Sequence, residues 1–444
     1  MIKVEVYGKV HTFSGYEELG VFLFDNNLEV DEDGNIFEKE NVGCVPSILD
    51  EWFKKRKEYQ ALAHKHGESG DEDQHTFYDR RQHIQKILLN SMYGVLGLPV
   101  FRFYDVDNAE AVTITGQSVI KFTERIINKF YNDNLGTGED YVIYVDTDST
   151  FVSAVPLVKK FYPDVSVDDV PRMTEVILDV SQQVQDYVNG SYNALCAKVF
   201  NLKTHRFDIK REYIARSGLW VTKKRYAQWI IYNKGLTVDK LDIKGIDVVR
   251  SSYPAAFQEF LKKTLKDILM GKTKEEIDDS IMTFRQSMAS LPLADVAKSS
   301  SVKQIMKYDL QNTTEFKERS RKYNRKLEVG ARKIGTPAHV KAAISFNELL
   351  HVFEVSTHYP PFRDGDKIKW VYLKDNQYGL EGVAFRGYDD PPEIVEFIRT
   401  YIDYSKIFKR ELHSKLDDLY SALGWIMLTD NFAVASKFFD FNGG

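Results

Sequence analysis

Two β-rich runs that face each other across an acidic turn restrict the fold more than any other feature. Tyr141-Val142-Ile143-Tyr144-Val145 leads into Asp146-Thr147-Asp148, and Phe151-Val152-Ser153 resumes the β pattern. The arrangement predicts a β-hairpin with two carboxylates at its tip. Alternate side chains of an extended strand share a face, so both acids are expected on one side. Carboxylates held that close repel each other unless a cation sits between them. Hard oxygen ligands suit magnesium, which binds few carboxylates plus substrate phosphates. A solvated turn would look the same in sequence.

Helical patterns surround this hairpin. Val112 to Phe130 and residues 172 to 199 read as helices. Pro46 opens a helix through Trp52, Arg56 and Gln60, a polar loop follows from His66 to Asp73, and a second helix runs from about Phe77 to Leu96. Together they predict a helical hairpin. On its second arm Lys86, Asn90, Tyr93 and Gly94 fall at i, i+4, i+7 and i+8 and share one face. A lysine, an amide, a ring and a glycine in one stripe can hold a phosphate and a base. A surface lysine beside a packed tyrosine is the plain alternative. Residues 1 to about 45 read as short strands and turns, with Asp31-Glu32-Asp33-Gly34 an acidic turn rather than a calcium loop. Residues 205 to 250 alternate strands with turns. From Pro254 the pattern is mainly helical: Phe257, Leu261, Leu265 and Ile268 sit at helical spacing, and Gly271 closes the segment.

The length of 444 residues allows roughly two to four domains. No run of about 18 apolar residues occurs and the N-terminus has no apolar core of a secretory signal, so no membrane span is expected and a cytoplasmic location is. Cys44 and Cys196 form neither a metal-ligand nor a disulfide pattern. The formal net charge of −5 argues against a uniformly basic, nucleic-acid-binding surface, yet basic groups recur locally at Lys54 to Lys57, at Lys223-Lys224-Arg225 and from Lys317 to Lys333. Each of these also reads as a solvated face.

The stripe Lys86-x-x-x-Asn90-Ser91-x-Tyr93-Gly94, followed about 60 residues later by Asp146-Thr147-Asp148-Ser149, resembles the second and third polymerase motifs of B-family DNA polymerases. Phe101 to Asp105, Asn108-Ala109, Ile114 to Gln117, Trp220 to Tyr226 and Leu241 to Ile246 are similar to the T-even-phage branch of that family. The resemblance implies an α+β fold: a palm built on an antiparallel sheet with helices, helical-hairpin fingers and a mainly helical thumb. The corresponding ranges are 1–45 for an unassigned lead-in and a palm segment, 46–98 for fingers, 99–253 for palm, 254–434 for thumb and 435–444 for a clamp-binding tail.

It also implies template-directed nucleotidyl transfer by a two-metal mechanism, with two magnesium ions, primer–template DNA and deoxynucleoside triphosphates. Asp148 and Asp146 match the catalytic, metal-binding carboxylates. Arg56, Lys86, Asn90, Tyr93 and Gly94 match nucleotide-binding positions. Lys223, Lys224, Arg225 and Tyr226 match the segment that touches the primer end, and Phe438, Phe439 and Phe441 match a sliding-clamp peptide.

Three departures stand out. Gln60 occupies a position where this branch usually has lysine, the fingers are short, and the family's first motif, an aspartate ahead of a Ser-Leu-Tyr-Pro-Ser-like run, is missing before Arg56. Asp247 to Pro254 imitates that motif but follows the hairpin, and matches the palm-to-thumb junction, where Ser251 or Ser252 can cap the next helix. No paired exonuclease acids are evident. The expectation is therefore the C-terminal part of a split polymerase, with an upstream chain supplying the first motif and the exonuclease. Two other readings stay open: a non-catalytic DNA- and clamp-binding replication factor, and an unrelated nuclease or nucleotidyl transferase that adds an acid such as Glu212.

Overall fold

The structure is a computed structural model. It describes residues 1–309 and 335–427 apart from positions 7, 32, 33, 201, 203, 234, 247, 249 and 251. Helices and small antiparallel sheets give an α+β protein, in agreement with the sequence, and the chain divides into two compact units, Met1–Glu212 and Tyr213–Gly444.

The first unit opens with a hairpin, β1 (Ile2–Val6) and β2 (Lys9–Phe13). Helix α1 (Tyr16–Asp25) and a second hairpin, β3 (Leu28–Val30) and β4 (Ile36–Glu38), follow. Val6, Leu23 and Leu28 make the small core of this region. Strands and turns were expected here, but α1 was not. Gly15 starts it without a side-chain cap, and its start is marked only by Glu17 and Glu18 in the first turn, with Ser14 bonding to Glu18. The Asp31 carboxylate accepts from the Asn35 backbone N–H at 2.8 Å and from Asn35 Nδ2 at 2.9 Å, so the acidic stretch closes a turn as expected.

Next come the paired helices α2 (Cys44–Glu68) and α3 (Glu72–Leu96). The polar loop expected over 66–73 shrinks to residues 69–71. Asp71 caps α3 by accepting from Gln74 N at 3.1 Å, which starts the helix well before Phe77. The arms share almost no aliphatic core, for Ala63 is the one buried residue of α2 and α3 has none. Rings join them instead. Tyr78 stacks on Tyr59 and His66 with centroids 6.2 and 5.5 Å apart, and the Arg81 guanidinium of α3 lies 5.7 Å from the Tyr59 ring of α2.

Helix α4 (Val106–Leu135) outruns the expected 112–130 because Asp105 caps its start, accepting from Asn108 N, and left-handed Gly136 ends it. It packs with α5 (Val155–Phe161) and α6 (Val170–Lys198) around Ile127, Leu157, Val176, Val180, Val188 and Leu195. One polar tie crosses this core: Thr123 Oγ1 and Tyr192 Oη are 2.6 Å apart. On this platform sits the hairpin of β5 (Val142–Asp146) and β6 (Ser149–Val152), which turns Val142 inward. The antiparallel sheet expected around it is only a two-stranded ribbon among the described residues. Such a ribbon is marginal alone and draws its stability from α4.

The second unit begins with a three-stranded antiparallel sheet, β7 (Tyr213–Thr222), β8 (Arg225–Asn233) and β9 (Leu236–Lys244). Helices α7 (Ala255–Leu269) and α8 (Lys274–Ser287) follow. Phe257, Leu261 and Leu265 are fully buried, as their spacing predicted. Pro254 is the N-cap of α7 and no side chain caps it, so Ser252 does not have the capping role expected of it; Ser251 lies outside the described residues. Residues beyond α8 are less helical than expected. Strands β10 (Lys298–Ser301), β11 (Lys367–Tyr372) and β12 (Gly382–Phe385) form a second sheet against the helix Ala338–Val352. All four residues of β12 are buried, and a short run apolar on both faces has no period to tell strand from helix.

Candidate active site

The hairpin tip is a two-residue turn, Thr147-Asp148, between the paired residues Asp146 and Ser149. Thr147 has φ +59°, a left-handed conformation that β-branched residues rarely adopt. Three hydrogen bonds hold it. Thr147 Oγ1 donates to Asp146 Oδ1 at 3.0 Å, Asp148 N donates to Asp146 O at 2.8 Å, and Ser149 Oγ donates to the same carbonyl at 3.1 Å. The chain thus reverses between the two acids. Strand alternation, the basis for expecting both on one face, stops at Asp146. Asp146 is half-buried and Asp148 is exposed.

The base of the hairpin is fixed to α4. Tyr131 Oη donates to Ser153 O at 3.0 Å, Tyr131 stacks on Tyr141 at 4.9 Å, and Asn128 Oδ1 accepts from Tyr141 N at 2.8 Å. Burial pushes the Tyr131 phenol far above its ordinary value, so it stays a neutral donor. Away from α4 the ribbon is also apolar. Ile143 is 53% exposed, and Tyr144 and Phe151 pair across the strands at 5.7 Å. Among the described residues no group of three or more His, Cys, Asp or Glu side chains could hold a metal ion, so Glu212 does not complete a ligand set. Two carboxylates at a partly open turn fit part of a magnesium donor set, the rest of which substrate phosphates and water commonly supply.

Lys86, Asn90, Tyr93 and Gly94 all lie exposed along the second half of α3, a helix with no buried residue on any face. Arg56 is half-buried on α2, and its Nε has no hydrogen-bond partner; Gln85 Oε1 on α3 lacks one too. The basic run around Arg56 is partly neutralised, since Lys54 pairs with Asp50 at 2.8 Å and Lys55 with Glu51 at 2.5 Å. Hydrogen bonding from Lys54 holds the Asp50 carboxyl below its usual range. The end of α3 meets the start of α4, where Asp105 N donates to Leu96 O at 3.0 Å. The acid hairpin is rooted further along α4, at Asn128 and Tyr131. The stripe and the acids are thus attached toward opposite ends of one helix.

The basic turn belongs to the second unit. Thr222 pairs with Arg225, and Lys223-Lys224 forms the loop, with Lys224 at φ +62°. Both lysines are exposed. Arg225 Nη2 instead bonds Asp418 Oδ2 at 2.9 Å, and Tyr226 is buried and stacked on Trp220. Of the four residues expected to touch the primer, at least three, Lys224, Arg225 and Tyr226, therefore interact within the protein. Sequence reasoning passed over Thr147, whose signal was a β-branched residue between two acids, and Asp418, which has no local signal. Phe438, Phe439 and Phe441, the run Lys317 to Lys333 and Asp247 lie outside the described residues.

Comparison with known proteins adds a family. The sequence model of DNA polymerase family B matches residues 17–160 and 176–340. The DNA-directed DNA polymerase of Enterobacteria phage T4 is 27% identical over 366 residues, which are 79% of this chain and 38% of that protein. That of Escherichia phage RB69 is 26% identical over 354 residues, 76% of this chain and 36% of that protein. A DNA polymerase of Thermococcus gorgonarius is 27% identical over 243 residues, 55% of this chain and 26% of that protein. The chain thus spans less than two fifths of the length of these curated relatives.

Proposed function

The chain belongs to DNA polymerase family B, and from that premise we propose that it is the catalytic portion of a DNA-directed DNA polymerase, completed by a further polypeptide. The acid-bearing hairpin carries this reading, since Asp146 and Asp148 sit at a tight tip inside the matched segment 17–160. In this reading α2 and α3 are the fingers, α4 to α6 with the hairpin belong to the palm, and the segment after Pro254 is the thumb. Asp146 and Asp148 would hold two magnesium ions together with the triphosphate of an incoming nucleotide. Bound there, the ions would neutralise charge as the primer 3′-oxygen bonds to the α-phosphorus and pyrophosphate leaves.

The protein's own groups do the positioning. Thr147 steadies Asp146 through its hydroxyl. Lys86 and Asn90 meet the triphosphate, Arg56 adds a guanidinium that can bind phosphate bidentately, and Tyr93 and Gly94 lie by the new base pair. Lys223 and Lys224 meet the primer backbone, independently of sequence. The phenylalanines Phe438, Phe439 and Phe441 engage a sliding clamp.

Two observations support a completing polypeptide. No third acid joins the hairpin pair among the described residues. Among the described residues the ribbon also pairs with no third strand, which leaves a place for a strand of another segment. The missing acid equally favours a second reading, a non-catalytic DNA- and clamp-binding replication factor.

Primer extension in magnesium, beside an Asp148→Ala control, separates the two. Catalysis predicts that the chain binds primer–template, extends nothing alone, and extends when given a polypeptide carrying the upstream part of a family B polymerase, unless Asp148 is replaced. Robust extension by the chain alone would refute the need for a partner. Extension that survives Asp148→Ala would refute the assigned site.

A further inference from the structure

Half-buried or buried residues recur along α2 at Trp52, Arg56, Tyr59 and Ala63, and along α3 at Tyr78, Gln82, Gln85 and Leu89. Alternating steps of four and three are the spacing of a coiled-coil seam. Two contacts set the register of the antiparallel arms. Tyr59 stacks on Tyr78, and His75 Nδ1 lies 2.8 Å from the Ala63 carbonyl oxygen. One layer further from the tip, Arg56 therefore falls at the level of Gln82 and Gln85. The seam is aromatic toward the tip, apolar toward the root at Trp52 and Leu89, and polar between.

A polar layer in such a seam costs stability, so its members need partners. Gln82 has one, for its Nε2 donates to Asp79 Oδ1 at 3.0 Å. Arg56 Nε and Gln85 Oε1 are both shielded from water and neither has a partner. One is a donor and the other an acceptor, and joining them would satisfy both at once. Lys54 and Lys55 pair with Asp50 and Glu51, whereas no ion pair of Arg56 occurs among the described residues. Lys86 and Asn90 each follow a seam residue, Gln85 or Leu89, so the exposed stripe runs along the flank of the seam.

We infer that Gln85 is a positioning residue for Arg56. Its Oε1 accepts from Arg56 Nε–H and fixes the plane of the guanidinium, which leaves Nη1 and Nη2 to meet two oxygens of a triphosphate beside Lys86. The inference rests on the reading above that Arg56 and Lys86 meet the triphosphate. An amide suits the task because it is neutral: a carboxylate at the same place would hold the guanidinium but cancel its charge. Gln85 itself touches no phosphate.

Inorganic tripolyphosphate with magnesium, titrated calorimetrically into the full chain, is the probe. Hydrogen exchange of α2 and α3 peptides reports whether the arms stay packed. Gln85→Leu is expected to weaken binding about tenfold, the worth of a hydrogen bond to a charged group, while exchange grows no faster because leucine suits a seam. Gln82→Leu, the matched control, should stay within about twofold of the parent. Arg56→Met has no donor for Gln85, so adding Gln85→Leu to it should weaken binding no further, whereas a merely structural role would give the same loss in both backgrounds. Gln85→Met decides the matter if Gln85→Leu loosens the arms. The inference is overturned if the Gln85 variant binds like Gln82→Leu while Arg56→Met binds weakly, or if its loss persists in the Arg56→Met background. If Arg56→Met binds like the parent, or the parent takes up no tripolyphosphate, the assignment of Arg56 to the triphosphate fails as well.

Discussion

The tie between Thr123 and Tyr192 allows a prediction with an asymmetry. Thr123 Oγ1 donates its one hydrogen to Val119 O at 2.8 Å, so in the 2.6 Å contact with Tyr192 it must accept and the phenol must donate. Both residues are buried, at 0% and 3% exposure. Tyr192→Phe removes the phenol and leaves a hydroxyl whose own hydrogen remains satisfied. That costs about 1 kcal/mol, the net value of one hydrogen bond. Thr123→Val keeps the shape of the side chain but leaves the Tyr192 phenol buried with no acceptor. An orphaned donor costs about 1–3 kcal/mol, so Thr123→Val should be the worse change. Removing both partners removes the orphan, and the double variant should recover stability relative to Thr123→Val alone. Hydrogen exchange of peptides from α4 and α6, followed against urea, measures this, with about 1.4 kcal/mol for each tenfold change in protection. If the double variant is less stable than Thr123→Val, or Tyr192→Phe costs more than Thr123→Val, the assignment of donor and acceptor is wrong.

Two further predictions concern other parts of the chain. Burial, with a smaller effect from Lys298, pushes the His339 imidazole below its ordinary value of 6.5, so the unfolded chain takes up the proton first as pH falls. Stability of the second unit should therefore drop as pH is lowered through 6.5, and His339→Gln should flatten that part of a urea-midpoint profile from pH 8 to 5.5. In the completed enzyme, Lys86→Ala should raise the KM for nucleotides about tenfold to a hundredfold, the worth of a charged hydrogen bond, and leave primer–template affinity unchanged; equal KM values would remove Lys86 from the triphosphate site.

Legibility in the sequence followed the range of the interactions involved. The hairpin at Asp146 could be read because β-branched runs and a turn announce it locally. The stripe on α3 could be read because helical spacing puts its members on one face. The early start of α3 was hidden by a stretch of polar residues that looked like loop, although Asp71 is a normal cap. Long-range partners left no trace. Nothing near Arg225 indicates that Asp418 will take its guanidinium, and nothing near Lys224 indicates that Gly245 will lie against its carbonyl. The turn at Asp146 to Asp148 was legible, but the alternation used to put both acids on one face assumes an extended backbone, and left-handed Thr147 breaks it.

The helical hairpin has a mechanical consequence. Helices α2 and α3 hold 25 residues each, so each arm is about 37 Å long at 1.5 Å per residue. Arms this long act as a lever: a tilt of about 10° at the root would carry the tip through about 6 Å, which is more than one helical turn. The arms bury one alanine and otherwise touch through rings and cations, so a swing would sacrifice little apolar area. In such a tilt the tip would move furthest, while Lys86, Asn90 and Tyr93, nearer the pivot, would travel only a fraction of that distance.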